Sequence, residues 1–185
     1  TPKTLLFVGN TDDTKKGIVY LLQAMILLPK EVTLTIVDQG KPHKTYASGL
    51  VEEWGLSSRV NFTGKVSTEA LRSLYRRSEV VVLPSLYEGF GLPAAEAMAC
   101  ETPVVATAVG ALPEVLGSEG AGELVPSRNP LALARAVLKL QGDAGERSKM
   151  GLRGRKRVEE LFTWEKVAER TVTVYQESIE SRSQR

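Results

Sequence analysis

Short β-branched runs alternate along the chain with longer segments in which apolar residues return every three or four positions. "TLLFVG" (Thr4 to Gly9), "VTLTIV" (Val32 to Val37), "RVNFTG" (Arg59 to Gly64), "EVVVLP" (Glu79 to Pro84), "TPVVAT" (Thr102 to Thr107) and "GELVP" (Gly122 to Pro126) predict strands. Each is bounded by Gly, Pro or polar residues. Between them, Ile18, Leu21, Leu22, Met25 and Ile26 keep helical spacing, as do Leu71, Leu74 and Tyr75. Asn129 and Pro130 form a cap and first-turn pair for a helix carrying Leu133, Ala134, Val137 and Leu138. Several strands are apolar almost throughout, as a parallel sheet covered on both faces requires. The alternation predicts an α/β fold: a doubly wound, Rossmann-like parallel sheet of about six strands, followed by extra C-terminal helices.

Past Gly142 the pattern is helical only. "ERSKMGLRGRKRVEELF" carries Arg147, Lys149, Arg153, Arg155, Lys156 and Arg157. Such a cluster is either a solvated helix face or a contact for an anionic lipid surface or acidic partner. In the closing segment, Trp164, Val167, Ala168, Val172 and Tyr175 can form one apolar stripe. The 185 residues suffice for one domain, residues 1–185, with a proper core. A net charge of +2 gives no strong pull toward nucleic acid. The single cysteine, Cys100, has no internal disulfide partner; its small apolar neighbours predict burial, and a reducing compartment is compatible. Apolar runs reach only five residues, as in Ala24 to Leu28, too few to span a bilayer, and no signal-peptide pattern is present. A chain that opens on Thr1 and reaches a strand by Thr4 reads as a piece of a longer protein.

For strand order 3-2-1-4-5-6, ligands lie beyond the carboxyl ends of the strands, between the first and fourth. Two loops then face the crevice: "GNTDDTKKG" (Gly9 to Gly17) and "SLYEGFGLP" (Ser85 to Pro93). Pro93 suits the first position of a following helix, whose N–H groups and dipole, about half a positive charge, point into the crevice. Gly89 and Gly91 let the backbone approach an anion, and Lys15 and Lys16 add cations from across the gap. The set describes a phosphate or diphosphate site. Glu96, about one turn into the helix among Ala94, Ala95, Ala97 and Ala99, is placed to accept from a sugar diol. Plainer roles also exist: Glu96 offsetting its own helix dipole, Glu88 as a surface acid, the two lysines as solvated residues. "GFGLPA" (Gly89 to Ala94) formally fits the G-x-G-x-x-A dinucleotide fingerprint. That motif should follow the first strand, and here it follows the fourth, which argues against a nicotinamide or flavin enzyme.

With Glu88, the Gly-Phe-Gly turn and Glu96 in view, the chain resembles the C-terminal, donor-binding half of family 4 retaining glycosyltransferases of the GT-B fold. "EGFGLPAAE" matches that family's Glu-x7-Glu signature; "MACETPVVAT", "VGALPEVL" and "FTWEKVAERTVTVY" are similar to the segments that follow it. The resemblance implies that Glu88 meets the transferred sugar's hydroxyls and that Phe90, Gly91 and Leu92 offer N–H groups to the distal phosphate. It implies that Glu96 holds the ribose hydroxyls, that Lys16 neutralises the leaving diphosphate beside Gly9, Asn10 and Lys15, and that Val66 of "GKV" lies by the base. The substrate would be a UDP- or GDP-sugar, with no cofactor. No Asp-x-Asp pair exists among Asp12, Asp13, Asp38 and Asp143, so no metal is expected; His43, in a loop after the second strand, is a poor general base. The partner would be an N-terminal acceptor-binding domain of the same protein, the setting cytoplasmic, with peripheral membrane contact through the parent protein. Three departures stand out. Asn10 replaces the family's usual arginine, which raises the alternative of a catalytically degenerate binding or scaffolding domain. Glu101 replaces a glycine at a helix end, where left-handed backbone is favoured. "VDQGKPH" departs from the usual Gly-Asp-Gly-Pro run.

Overall fold

The structure, a computed structural model, describes residues 3–38 and 45–183. His43 and most of "VDQGKPH" lie outside the described residues. Six strands, β1 (Lys3–Val8), β2 (Val32–Val37), β3 (Val60–Phe62), β4 (Val80–Leu83), β5 (Val104–Thr107) and β6 (Glu123–Val125), build one sheet in the order β3-β2-β1-β4-β5-β6. Every pairing is parallel. The order reverses between β1 and β4, as expected. Helices α1 (Ile18–Leu27), α2 (Tyr46–Glu53), α3 (Thr68–Arg77), α4 (Leu92–Ala99), α5 (Leu112–Leu116) and α6 (Pro130–Gly142) alternate with the strands, and α7 (Ala144–Leu161) and α8 (Trp164–Ser183) follow.

The period of two along each strand divides the core. Leu5, Phe7, Val80 and Val82 face one layer with Leu21, Leu22, Met25, Leu133 and Val137 of α1 and α6. Leu6, Val81, Leu83, Val104 and Ala106 face the other, with Tyr75 of α3 and Ala94, Ala97 and Met98 of α4. Near-continuous apolar strands follow from covering both faces. The predicted helix faces hold with two exceptions at their margins: Ile26 and Leu138 are exposed.

Caps fix where the helices start. Asn129 accepts from the Ala132 N–H at 2.9 Å, and Pro130 opens α6. Ser67 and Thr45 cap α3 and α2 in the same way. At the end of α4, Glu101 takes φ +60°, the left-handed geometry that a glycine adopts without a Cβ in the way. Helix α7 then lies hard against that turn: a Cβ on Gly151 would sit 2.2 Å from the Glu101 carbonyl oxygen, and one on Gly154 3.1 Å from Met98. Cys100, just before the turn, is half-buried, and burial pushes its thiol above the ordinary value.

Candidate functional site

The two loops predicted to face each other are stitched together at the carboxyl ends of β1 and β4. The Leu86 N–H donates to the Lys15 carbonyl at 2.7 Å. Gly17, at φ +64°, lets its backbone press on β4's end: a Cβ there would sit 2.0 Å from the Pro84 carbonyl oxygen. Between them, Asp13 accepts from the Lys15 N–H and starts a 3-10 turn, Thr14–Lys16. That turn aims Lys16 back across Gly9, whose position for a Cβ lies 3.8 Å from the lysine stem.

Lys16 Nζ donates to both oxygens of Glu88, at 3.1 and 2.9 Å. Glu88 is 9% exposed, so this acid is a surface glutamate in neither position nor partners. Ser85 Oγ donates to its Oε2 at 3.2 Å, and Ser85 is held in turn by Thr107 of β5, whose hydroxyl donates to the Ser85 carbonyl at 2.6 Å. The main chain of Glu88 is clamped from the loop after β5. The Ala111 N–H donates to its carbonyl at 3.1 Å, and Gly110, at φ +53°, leaves no room there for a Cβ. Ionised carboxylates at this burial need such partners.

Gly91, at φ +91°, turns the chain into α4, with Leu92 first and Pro93 in the first turn. Among the described residues, nothing accepts from the N–H groups of Phe90, Gly91 and Leu92. Three aligned donors at a helix N-terminus form the local chemistry of an anion site. Gly89 is open on its Cα, and Phe90 is anchored by an edge-to-face contact with Phe162, ring centres 5.5 Å apart. Lys15 is exposed on the opposite loop.

Glu96 stands on the exposed side of α4 and makes no cap bond to its own helix. Instead the Tyr75 hydroxyl donates to its Oε2 at 2.8 Å. Glu96 borders an apolar groove of about 490 Å3 between α4 and the start of α8, with Phe90, Leu92, Phe162 and Trp164. Gly9, Asn10 and Val66 line a separate cavity of about 320 Å3 with Asp38, Lys65 and Leu71. The predicted residues thus fall into two neighbouring groups joined by Lys16 and Glu88, rather than one bowl. Asn10 turns inward on its own loop: its Oδ1 accepts from the Asp12 N–H at 2.9 Å. Thr11 donates through its N–H, at 2.8 Å, and through its hydroxyl to Asp38 Oδ2, which ties the loop to the end of β2. Sequence reasoning passed over Asp38, Ser85, Thr107 and Tyr75. Tyr75 and Thr107 sit in segments that read as core, and Asp38, Tyr75 and Thr107 find their partners 21 to 27 residues away in the chain. Among the described residues, no group of three or more His, Cys, Asp or Glu is placed to hold a metal ion.

The basic cluster is a solvated helix face only in part. Arg147 donates to the carbonyls of Leu140 and Gln141, Arg153 to that of Gly120, and Arg157 to those of Val115 and Glu114. Arg155 joins Glu101 and Glu159. Arg147, Arg153 and Arg157 clip α7 to α6, to the loop at Gly120 and to α5, which leaves Lys149, Arg155 and Lys156 on its exposed face. No helix among the described residues is long and apolar enough to cross a membrane.

The six-stranded parallel sheet, with a glutamate–lysine pair and an open helix N-terminus on its crevice loops, defines a Rossmann-like α/β domain. The family model for "Glycosyl transferases group 1" matches residues 1–157, and the chain belongs to that family. It is 38% identical over 178 residues to an MMP alpha-(1->4)-mannosyltransferase of Mycolicibacterium hassiacum, covering 95% of this chain and 43% of that protein. Sucrose-phosphate synthase from Thermosynechococcus elongatus superposes with a TM-score of 0.87 at 38% identity, over 96% of this chain and 46% of that one. The crystallised C-terminal domain of a glycosyl transferase group 1 family protein from Francisella tularensis gives 0.75 at 28% identity, covering 87% of this chain and 86% of that domain. The chain therefore spans less than half the length of the mannosyltransferase it matches.

Proposed function

We propose that the chain is the donor-binding half of a retaining glycosyltransferase that holds a UDP- or GDP-sugar across the two stitched loops. The observation that carries this reading is the open N-terminus of α4 beside the Lys16–Glu88 pair. Breaking a sugar–phosphate bond leaves negative charge on a nucleoside diphosphate, and donors fixed in advance at that charge lower the barrier. The N–H groups of Phe90, Gly91 and Leu92 supply such donors without reorganisation, and Lys16 supplies the mobile cation. Glu88, clamped through both main chain and side chain, is rigid enough to orient sugar hydroxyls. Glu96 takes the ribose diol, and Val66 and Leu71 give an apolar wall to the base. The mannosyltransferase relative supports sugar transfer.

In this reading the missing partner is an acceptor-binding half of the same protein. The 185-residue chain alone binds donor weakly and transfers almost nothing. In the parent protein, Lys16→Ala and Glu88→Gln should each lower kcat by about 10²–10³-fold, the scale of losing one preorganised charge contact. Steady-state kinetics that change by less than about threefold in both variants would remove these residues from the reaction.

One observation favours a second reading, a degenerate binding or scaffolding domain: Asn10 serves its own turn instead of projecting a cation. Asn10→Arg in the parent protein separates the two. A gain in transfer supports the enzyme, and activity that stays at zero supports the scaffold.

A further inference from the structure

Tyr75 is 2% exposed, in a layer of Leu6, Val81, Met98 and Leu112 where a phenylalanine would fill the same volume. Its hydroxyl is the one polar atom that packing does not require. Among the described residues, that hydroxyl has one hydrogen-bond partner, Glu96 Oε2 at 2.8 Å. Glu96 itself is exposed, and an exposed glutamate samples many rotamers. Its other oxygen, Oε1, meets no donor among the described residues.

We infer that Tyr75 is a positioning residue for the donor: its hydroxyl fixes the Glu96 carboxylate so that Oε1 is presented to a vicinal diol. The inference rests on the reading of Glu96 as the acid that meets the ribose, and adds the group that orders that acid beforehand. The scaffold beneath the pair is rigid. Thr102 Oγ1 donates to the Tyr75 carbonyl at 2.9 Å, which anchors the end of α3 to the turn before β5. One helical turn earlier, Leu71 lines the cavity shared with Gly9 and Val66, so α3 serves both the cavity and the acid. Burial, and then the neighbouring carboxylate, push the Tyr75 hydroxyl above its ordinary value, so it remains a donor throughout the neutral range. A carboxylate ordered in advance binds a diol without first losing its rotamer freedom.

The test is calorimetric titration of the 185-residue chain, Tyr75→Phe and Glu96→Ala with UDP and GDP and with their 2′,3′-dideoxy counterparts. For the nucleotide that binds, Tyr75→Phe should weaken affinity roughly tenfold, the scale of one hydrogen bond to a charged group. The dideoxy nucleotide, which offers no diol, should change by less than about twofold, because only the diol-dependent increment passes through Tyr75. Equal loss for both nucleotides would make Tyr75 merely structural and overturn the inference. No loss with Tyr75→Phe alongside a clear loss with Glu96→Ala would overturn it too, while leaving the reading of Glu96 standing. Full binding by Glu96→Ala would overturn that reading, and the inference with it.

Discussion

Glu96 looks out of place in an alanine-rich helix until Tyr75 is seen beneath it. The pair also has a signature in stability. The Tyr75 proton is lost near pH 10 in the unfolded chain and held to higher pH in the native one. Its contribution is complete below about pH 10 and is lost as pH rises beyond it, by up to about 1.4 kcal/mol per pH unit. Urea unfolding of the native chain and Tyr75→Phe between about pH 8 and pH 11 should give curves that converge as the native chain loses stability. Parallel curves would deny the coupling. Glu101 makes the opposite case, because its left-handed backbone was legible as soon as a glycine was missed at a helix end. Glu101→Gly should raise stability by about 0.5–1 kcal/mol, seen as a gain of roughly 1–4 °C in Tm. The loss of its half-exposed ion pair with Arg155 subtracts little from that. The partner of Glu96 was not legible, since Tyr75 sits 21 residues earlier and its spacing with Leu71 and Leu74 reads only as core.

At the scale of elements, period and turn chemistry carried most of the fold. The strand at Val80 to Leu83 is a continuous apolar run, that from Val32 to Val37 alternates with two threonines, and β2 occupies the predicted residues end to end. The strand order 3-2-1-4-5-6 is an assumption for a doubly wound sheet, since sequence alone does not fix it, and it holds. What pattern could not show is what α7 does with its arginines. A basic helix face and a row of clips into carbonyls share one sequence, and only the packing against α5, α6 and the Gly120 loop distinguishes them. The fit of α7 against α4 is equally specific to tertiary structure. Gly151→Ala improves intrinsic helix propensity by about 1 kcal/mol, yet it drives a methyl into the Glu101 carbonyl. The net effect should be a loss of about 1–3 kcal/mol, measured as a lower urea midpoint at unchanged m. A more stable variant would show that α7 does not sit where the structure puts it.

For the whole molecule, the most telling feature is a helix with little to touch. Trp164 is 85% exposed, and Val167, Val172 and Tyr175 continue an apolar line along α8 that stays exposed. In the proposed reading, this surface fits a contact with the acceptor-binding half. Left uncovered, such a patch promotes self-association. Sedimentation velocity should show oligomers of the isolated chain that grow with concentration, and Val172→Lys with Tyr175→Lys should return it to a monomer. A monomer at all concentrations would show that α8 needs no cover. Both crevice loops, the Lys16–Glu88 pair and the α4 N-terminus, by contrast, come from this chain's own residues. Donor binding is therefore the property that the isolated chain must retain. The most direct measurement is a titration of the folded chain, beside Lys16→Ala, with UDP-glucose, GDP-mannose and NAD. One nucleotide sugar should bind at one site per chain, lose affinity in the variant, and leave NAD without detectable heat. Binding of NAD, or of none of the three by a folded sample, would contradict the account.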